Sequence, residues 1–286
     1  MKIGFRAWFL LIPAMVLLVF TGLVPFFYAL YIALNRYILV SATAPMKYIG
    51  LNNFRTLVND IEFTSSFLRG VAFSAACVLV QLWLGLGVAF ILFRGFKGIS
   101  LFRVILCLPL AIPPIAIGSM WKLMMNPGIG PVPYLLRKVG ILYDYTGNAF
   151  QAFVTTILMD TWHWTPFVAL VLLAGLSAIP RETIESAEVD GASPWQMLRY
   201  VYLPLIKHEC LLVILLRFMD AFRIFDEVWM LTTGGPGSAT RYLSISLYTL
   251  ILKGWDMGYG AAISLVFLYV IIVLSWILFK VITVKR

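Results

Sequence analysis

Long apolar segments alternate with short polar ones along the whole chain. Each apolar segment has the ~20 residues that a helix needs to cross a bilayer, and together they cover residues 7–34, 67–93, 101–125, 149–176, 210–232 and 260–282. The pattern predicts an all-α membrane protein with six transmembrane helices in a single domain over residues 1–286.

The third apolar segment contains prolines in its interior, at Pro109, Pro113 and Pro114. A helix with internal prolines kinks or breaks, and the carbonyl groups that lose their partners are tolerated only against protein or a water-filled cavity. The prolines are therefore compatible with a packing kink or with a segment that lines a pathway.

The fifth apolar segment is interrupted by charges. If this segment is one continuous helix with about 100° per residue, four of the charged residues fall within roughly 120° of its circumference: Arg217, Asp220, Arg223 and Glu227. They form a charged stripe, and Asp226 lies off it. A charge at the bilayer centre costs about 2.5–3.5 kcal/mol on insertion scales, so the stripe is expected to face the bundle or water. The arginines could neutralise the carboxylates as buried pairs, which we expect for Asp220, or the carboxylates could relay protons.

The Gly- and Pro-rich segment 126–148 is amphipathic over residues 134–139, which predicts an outer loop that folds back against the membrane surface. The loop 177–208 is instead polar and charged. Its pattern predicts two short helices separated by a turn at Asp190–Gly191. Ser193 and Gln196 have the spacing of a capping box at the start of the second helix, and Pro204 should end or kink that helix.

Composition supports a membrane protein and argues against several other classes. The chain is 62% hydrophobic and 12% charged, against about 25% charged in soluble domains. Its net charge of +9 comes from residues that stand singly at segment ends, which indicates topology and lipid contact and no nucleic-acid binding. The phosphate-binding loop Gly-x-x-x-x-Gly-Lys-Ser/Thr and catalytic motifs are absent, so we expect no enzyme activity and no catalytic residue.

The cysteines predict no metal site. Cys77, Cys107 and Cys210 are odd in number and lie in apolar surroundings, so they are expected to be core residues. The two histidines, His163 and His208, are far apart in the sequence.

The loop 177–208 resembles the EAA motif of ABC-importer membrane subunits, with Ser186 at the second position of Glu-Ala-Ala and Val201 at the usual isoleucine. In that family the loop couples the membrane subunit to a cytoplasmic ATPase. The resemblance implies this coupling role for Glu182, Glu185, Ser186, Ala187, Asp190, Gly191, Ala192, Leu203 and Pro204.

Three further elements resemble the carbohydrate branch of these importers, the maltose-transporter type. They are Gly50-Leu51-Asn52-Asn53-Phe54, the Leu-Pro-rich run 108–114 and the segment Phe225–Pro236 with its Gly-Gly-Pro ending. The resemblance implies a type I importer fold in a bacterial cytoplasmic (inner) membrane, surrounded by lipid and with both termini cytoplasmic. It also implies a second permease subunit in a heterodimer, two copies of an ATPase subunit that hold ATP and Mg, and a periplasmic or lipid-anchored solute-binding protein. No cofactor is expected on this chain itself.

Sugar chemistry indicates which side chains could line the substrate pathway. Carboxylates accept hydrogen bonds from hydroxyl groups, and Trp rings pack on the apolar C–H faces of sugars. The candidates are Trp121, Asp160, Trp164, Asp226, Glu227 and Trp229. Each Trp is equally compatible with an interfacial anchor or with helix packing.

Two other classes of function remain open from the sequence. An ion-coupled secondary transporter could use the intramembrane carboxylates, and a membrane scaffold could use the loop 177–208 only for docking. Within the importer interpretation, the substrate could be a monosaccharide, disaccharide, polyol, sulfonated sugar or glycerol phosphate.

Overall fold

The computed structural model describes residues 5–39 and 46–283, and helices dominate both ranges. The basic residues Lys2, Lys285 and Arg286, on which the predicted orientation of the termini partly depends, lie outside the described residues.

The helices differ widely in length. They are α1 (Phe5–Leu18), α2 (Val24–Ala33), α3 (Asn52–Val58), α4 (Ile61–Arg94), α5 (Ile99–Cys107), α6 (Pro114–Met124), α7 (Pro131–Lys138), α8 (Ala149–Ser177), α9 (Arg181–Val189), α10 (Pro194–Gln196), α11 (Leu203–Leu205), α12 (Lys207–Phe222), α13 (Asp226–Thr232), α14 (Leu243–Tyr248) and α15 (Met257–Thr283). Wider π-helical turns occur at Val19–Leu23, Met197–Tyr202 and Thr249–Lys253, and a 3₁₀ turn at Leu108–Ala111. Strands β1 (Asn35–Arg36) and β2 (Lys47–Tyr48) pair antiparallel.

Four helical segments of the described chain are long and apolar enough to cross a membrane: Leu11–Ala33, Ile61–Arg94, Ala149–Ser177 and Met257–Ile277. A fifth candidate is the pair Ile99–Ala111 and Pro114–Met124, which is bent by 99°. The bend falls at Pro113, whose extended ψ of 140° ends the helical path. The expected break in the third segment is therefore confirmed.

The expectation of one continuous helix over 210–232 is wrong. Helix α12 has 16 residues and ends at Phe222, and α13 begins only at Asp226. Phe225 between them has φ −138° and ψ −62°, which lies outside helical geometry. The charged stripe is consequently divided between two helices, and neither is long enough to cross a bilayer alone.

The described chain forms two compact units, and the first contains the residues up to Thr64 and Ser246–Ile271. Its small core packs Ala33 against Ala261 and Ala262. The buried Asn53 amide donates hydrogen bonds to the carbonyl groups of Ala33 (2.7 Å) and Asn35 (3.0 Å). The last carbonyl groups of a helix have no N–H donor within the helix, and the Asn53 amide supplies donors at the end of α2. The Gly-Leu-Asn-Asn-Phe element thus connects helix α3 to the end of α2.

The second unit contains Ser65–Ile245 and the residues from Ile272 onward. One apolar core includes Phe73, Met159 and Val228 from α4, α8 and α13. Helices approach closely where a glycine removes the side chain. A Cβ atom on Gly85 would lie 2.5 Å from Val168 Cγ1, and one on Gly118 would lie 2.5 Å from the carbonyl oxygen of Glu227. These contacts hold α4 against α8 and α6 against α13.

A second apolar core of this unit lies beneath the polar loop 177–208. It includes Leu86, Val168, Leu172 and Leu176, and the loop contributes Ile206 to it. Ile184 of α9 packs against the same cluster. The loop is thus attached to α4 and α8 through its apolar side chains.

Candidate functional site

A charged side chain, Arg217 of α12, lies in the interior of the second unit with 1% of its surface exposed. One terminal nitrogen donates to both carboxylate oxygens of Asp160 on α8, at 2.9 and 3.2 Å. Its Nε donates to Gln81 Oε1 on α4 at 3.0 Å, and Gln81 Nε2 donates back to Asp160 Oδ2 at 2.7 Å. A buried charge is tolerated only when it is paired and hydrogen-bonded, and this closed ring supplies both conditions.

Further ion pairs connect this ring to side chains that are more exposed to solvent. Arg217 also pairs with Asp220, and Arg223 approaches Asp220 at 3.7 Å. The expected pairing of Asp220 is therefore confirmed, but Asp220 is half-buried and Arg223 is exposed, so the expectation of a buried pair is wrong for them. The Arg217 guanidinium carbon lies 4.4 Å from the ring centroid of Trp164, where the face of the indole attracts a cation.

A second buried polar contact joins α8 to α13. His163 Nδ1 lies 3.2 Å from Glu227 Oε1, and both side chains are buried. This contact was not predicted from the sequence, where His163 is relevant only as a possible metal ligand. The available signal was its spacing, because His163 lies three residues after Asp160 and hence on the same side of α8.

The carboxylates of these contacts, Asp160, Asp220 and Glu227, border a cleft of about 320 Å³. Four of the six predicted pathway residues, Asp160, Trp164, Asp226 and Glu227, line it together with Pro114, Asp220, Arg223, Ile224 and Phe225. Asp226 is exposed, and no described side chain pairs with its carboxylate. The cleft can therefore offer carboxylate acceptors, one guanidinium donor and an indole face to a polar ligand.

The other two predicted pathway residues lie elsewhere in the second unit. Trp121 is 6.2 Å from Trp162 between ring centroids, and Trp229 stacks on Phe225 at 5.7 Å. Both pack against the apolar core that contains Met159. Their surroundings are those of packing residues, and neither lines the cleft.

The loop 177–208 has the predicted turn and capping box. Gly191 has φ +76°, a left-handed conformation that favours glycine, at the end of α9. Ser193 Oγ accepts from the Gln196 N–H, and Gln196 Oε1 accepts from the Ser193 N–H at 2.7 Å. Pro204 lies inside the short helix α11, and the helical path breaks two residues later, at Ile206.

The loop presents a mixed acidic and apolar surface. Six of the predicted coupling residues are exposed: Glu182, Glu185, Ser186, Asp190, Gly191 and Pro204. Ala187, Ala192 and Leu203 are half-buried. Large apolar side chains of the same loop are also exposed: Val189 at 87%, Tyr200 at 67% and Trp195 at 63%. Such a concentration of exposed apolar groups beside acids is typical of a protein-binding surface.

The inner face of the loop borders a second cavity, of about 490 Å³. Phe90, Phe93 and Tyr202 line it, with Arg94 and Glu188 as charged members. Burial raises the pKa of the Tyr202 phenol, and the charge of Glu188 raises it further. The phenol is thus uncharged at neutral pH.

The cysteines and the potential metal ligands are isolated. Cys77 is buried, and the half-buried Cys210 packs against the core that contains Leu172, so the expectation of core cysteines is confirmed for these two. Cys107 is half-buried and belongs to none of the cores described above. Over residues 5–39 and 46–283, no group of three or more His, Cys, Asp or Glu side chains could hold a metal ion.

Comparisons with known proteins identify relatives of the whole chain. Residues 81–285 match the family described as "Binding-protein-dependent transport system inner membrane component". The trehalose/maltose transport system permease protein MalF of Thermococcus litoralis is 34% identical over 96% of this chain and 91% of its own length. The trehalose transport system permease protein SugA of Mycobacterium tuberculosis is 33% identical over 96% and 87%.

A solved structure shares the fold. The chain superposes on a bacterial alginate ABC transporter, crystallised with an alginate pentasaccharide-bound periplasmic protein, with a TM-score of 0.81. The identity is 20%, and the superposition covers 96% of this chain and 93% of that one. The architecture is therefore that of an ABC-importer permease.

Proposed function

Because this chain belongs to the family of binding-protein-dependent transport system inner membrane components, we propose that it is a permease subunit of an ATP-driven importer for a sugar or sugar-like solute. Family members are membrane components of transport systems, so the chain is a translocation subunit and not an enzyme. The observation that carries the sugar assignment is similarity over nearly the full length to permeases named for trehalose and maltose.

The cleft beside Asp160 is the proposed place of contact with the solute. Asp226 and Glu227 supply acceptors for sugar hydroxyl groups, and the ring of Trp164 supplies an apolar face. Hydrogen bonds to charged groups contribute about 1.5–3 kcal/mol each. Two such contacts are enough to orient a solute that binds only briefly during passage.

The loop 177–208 is the proposed contact with the cytoplasmic ATPase. Exposed Val189 and Trp195 provide apolar anchors, and Glu182 and Glu185 provide charges at the rim. Ile184 and Ile206 attach the same loop to α4 and α8 through the second core. Movement of the ATPase would reach the membrane helices through these contacts and produce alternating access to the cleft.

The proposed assembly has two different permease subunits, two ATPase subunits that bind ATP and Mg, and a solute-binding protein on the outer side. In the six-span arrangement that we propose, the interrupted pair α12 and α13 forms the fifth crossing together with its neighbours. Broken helices are tolerated in a membrane where protein or a water-filled cavity satisfies their ends, and the cleft at Arg223–Phe225 provides that surrounding. Both termini would then be cytoplasmic.

The two other functions have less support. An ion-coupled carrier needs a carboxylate free to exchange protons. Asp160 and Asp220 are tied to Arg217 and Glu227 contacts His163, so among these carboxylates of the described chain such a carrier would depend on Asp226 alone. A scaffold without substrate does not explain the polar cleft. Membership in a binding-protein-dependent family favours the importer over both.

The first test is purification of the tagged chain in mild detergent, followed by identification of the co-purifying proteins and an ATPase assay. We expect a second permease and an ATPase whose hydrolysis rises with a sugar-loaded binding protein. A chain that purifies without any ATPase, under conditions where the membrane helices stay folded, would contradict the proposal.

A further inference from the structure

The segment 126–143 between α6 and α8 combines basic and apolar residues with no acidic one. It contains helix α7, whose last turn carries Arg137 and Lys138. Because α6 and α8 are apolar helices of a membrane protein, this short connection cannot extend far from the bilayer. The composition is that of helices that lie in the interface between lipid headgroups and acyl chains.

The two faces of α7 have different surroundings. Val132, Pro133 and Leu136 face the protein, and Val132 packs against the core that contains Met159. The opposite face carries Tyr134 and Leu135, which are 58% and 59% exposed. Tyr134 is amphipathic, and aromatic residues of this kind are enriched at membrane interfaces.

The end of α7 adds further apolar groups to this exposed face. Gly140 has φ +82°, and the N–H of Ile141 donates to the carbonyl of Leu136 at 2.9 Å, which together form a Schellman cap. The cap turns the chain so that Ile141 and Leu142 are 51% and 82% exposed, next to Val139 at 71%. These side chains are held in place by a defined turn.

The basic groups lie beside this apolar surface. Lys138 Nζ is 4.7 Å from the centroid of the Tyr134 ring. Arg137 donates to the carbonyl of Pro127 at 3.0 Å and lines a cleft of about 250 Å³ that includes Tyr134 and Gly128. The nearest acid along the chain is Asp144, beyond the apolar residues, where its carboxylate accepts hydrogen bonds from Thr146.

We propose that the surface formed by Tyr134, Leu135, Lys138, Leu142 and the neighbouring Arg137 is an interfacial anchor that binds anionic phospholipid. The apolar side chains enter the acyl boundary, and the two basic residues contact the phosphate groups. A bilayer covers this surface continuously, whereas a soluble partner that docks and leaves would expose adjacent large apolar side chains to water in every cycle. This inference does not depend on the transported solute.

The test measures what surrounds the anchor in the intact transporter in nanodiscs. In a background with Cys77→Ala, Cys107→Ala and Cys210→Ala, nitroxide labels are attached at Leu135→Cys and Leu142→Cys. Leu84→Cys in α4 serves as the lipid reference, and Lys97→Cys in the exposed turn between α4 and α5 serves as the water reference. Collision rates with oxygen, which concentrates in lipid, are compared with those of a water-soluble nickel chelate.

We expect both anchor positions to favour oxygen, as Leu84→Cys does. A nickel preference like that of Lys97→Cys would overturn the proposal. Poor access to both reagents would also overturn it, because another protein would then cover the surface.

The second measurement compares phosphatidylcholine with phosphatidylglycerol nanodiscs. We expect the oxygen-to-nickel ratio at Leu142→Cys to rise in the anionic lipid. Arg137→Gln with Lys138→Gln should remove the rise, because a basic residue near an anionic surface is worth about fivefold in partitioning, equivalent to about 1 kcal/mol. Equal ratios in both lipids for the unsubstituted anchor would overturn the preference for anionic headgroups.

Discussion

Arg217 is the residue on which the interior of the second unit most depends. It joins Gln81, Asp160 and Asp220, which come from three helices, and it is almost fully buried. Removing one partner of a buried ion pair leaves the other charge without compensation, and this costs more than the pair itself contributes.

We expect Arg217→Met to lower stability by about 3–5 kcal/mol, because Asp160 is left as an unpaired buried charge. Thermal unfolding of the purified complex in detergent measures the effect. Arg223→Gln is the matched control, since this exposed arginine should contribute less than about 1 kcal/mol. Adding Asp160→Asn to Arg217→Met should restore part of the loss, and a double variant as unstable as the single one would refute the pairing argument.

At Asp226 the expected effect is on transport and not on stability. Its carboxylate is exposed in the cleft, so Asp226→Asn should leave the melting temperature unchanged. Loss of one charged hydrogen bond to the solute, worth about 1.4 kcal/mol or more, should lower uptake at low solute concentration roughly tenfold. Glu62→Gln, another exposed carboxylate in the first turn of α4, is the control. Unchanged uptake by D226N would remove Asp226 from the pathway.

Helix α9 ends at Val189, and Gly191 forms the turn that follows it. A Cβ atom on Gly191 would meet nothing within 4 Å. A substitution at this position therefore acts only through the backbone, whose left-handed conformation costs roughly 1–2 kcal/mol for most residues but less for Asn.

We expect Gly191→Val to leave the amount of protein in the membrane unchanged but to lower uptake and stimulated ATP hydrolysis, because α9 would lose its defined end. Gly191→Asn should retain both activities. Glu185→Lys, which reverses a charge on the exposed face of α9, should also uncouple transport from hydrolysis. Quantitative immunoblots and ATPase assays on the same membranes separate coupling from insertion, and wild-type uptake in either damaging variant would contradict the coupling role.

Helix α6 packs on α13 through Gly118, and this contact has no room for a side chain. A Cβ atom would lie 2.5 Å from the Glu227 carbonyl oxygen and 2.7 Å from Met230 Cβ. We expect Gly118→Ala to destabilise the protein by about 1–3 kcal/mol, the usual cost of overpacking. Gly87→Ala in α4, where nothing lies within 4 Å, should be neutral or slightly stabilising. Equal melting temperatures for the two variants would argue against tight packing of α6 on α13.

The sequence predicted individual elements well where the signal is local. The capping box, the turn at Gly191 and the break at Pro113 follow from residue chemistry within a few positions. The end of α12 at Phe222 could not be predicted, because no proline or glycine marks it. His163 was missed for a related reason, since its partner Glu227 is distant in sequence and only tertiary packing brings them together.

At the scale of the whole molecule, the energy source distinguishes an importer from an ion-coupled carrier. In proteoliposomes that contain the complete transporter, we expect uptake to require ATP on the side of the ATPase. Collapse of the proton and sodium gradients with ionophores should leave the rate unchanged. Uptake that continues without ATP and stops with the ionophore would favour the carrier.

Much of the described surface is apolar, which shows that the chain is surrounded by lipid or by other subunits. Of the most apolar 18 residues in the segment Leu11–Ala33, 0% are buried within the chain, whereas 44% of the corresponding residues in Ala149–Ser177 are buried. The sequence predicts that both segments are hydrophobic, but the buried share of each segment follows only from packing. Packing likewise brings four of the pathway candidates to one cleft and leaves Trp121 and Trp229 outside it, and the sequence alone does not predict this.

The contact between α6 and α13 also constrains the order in which the protein can be made. Residues 114–124 leave the ribosome long before residues 226–232. The face of α6 at Gly118 therefore has no α13 to pack against in the nascent chain until α13 has been synthesised. Helix α6 is too short to be held in the bilayer by its own length. The third segment therefore lacks this packing partner until residues 226–232 have been translated, and a message truncated before codon 226 would yield a product without this contact.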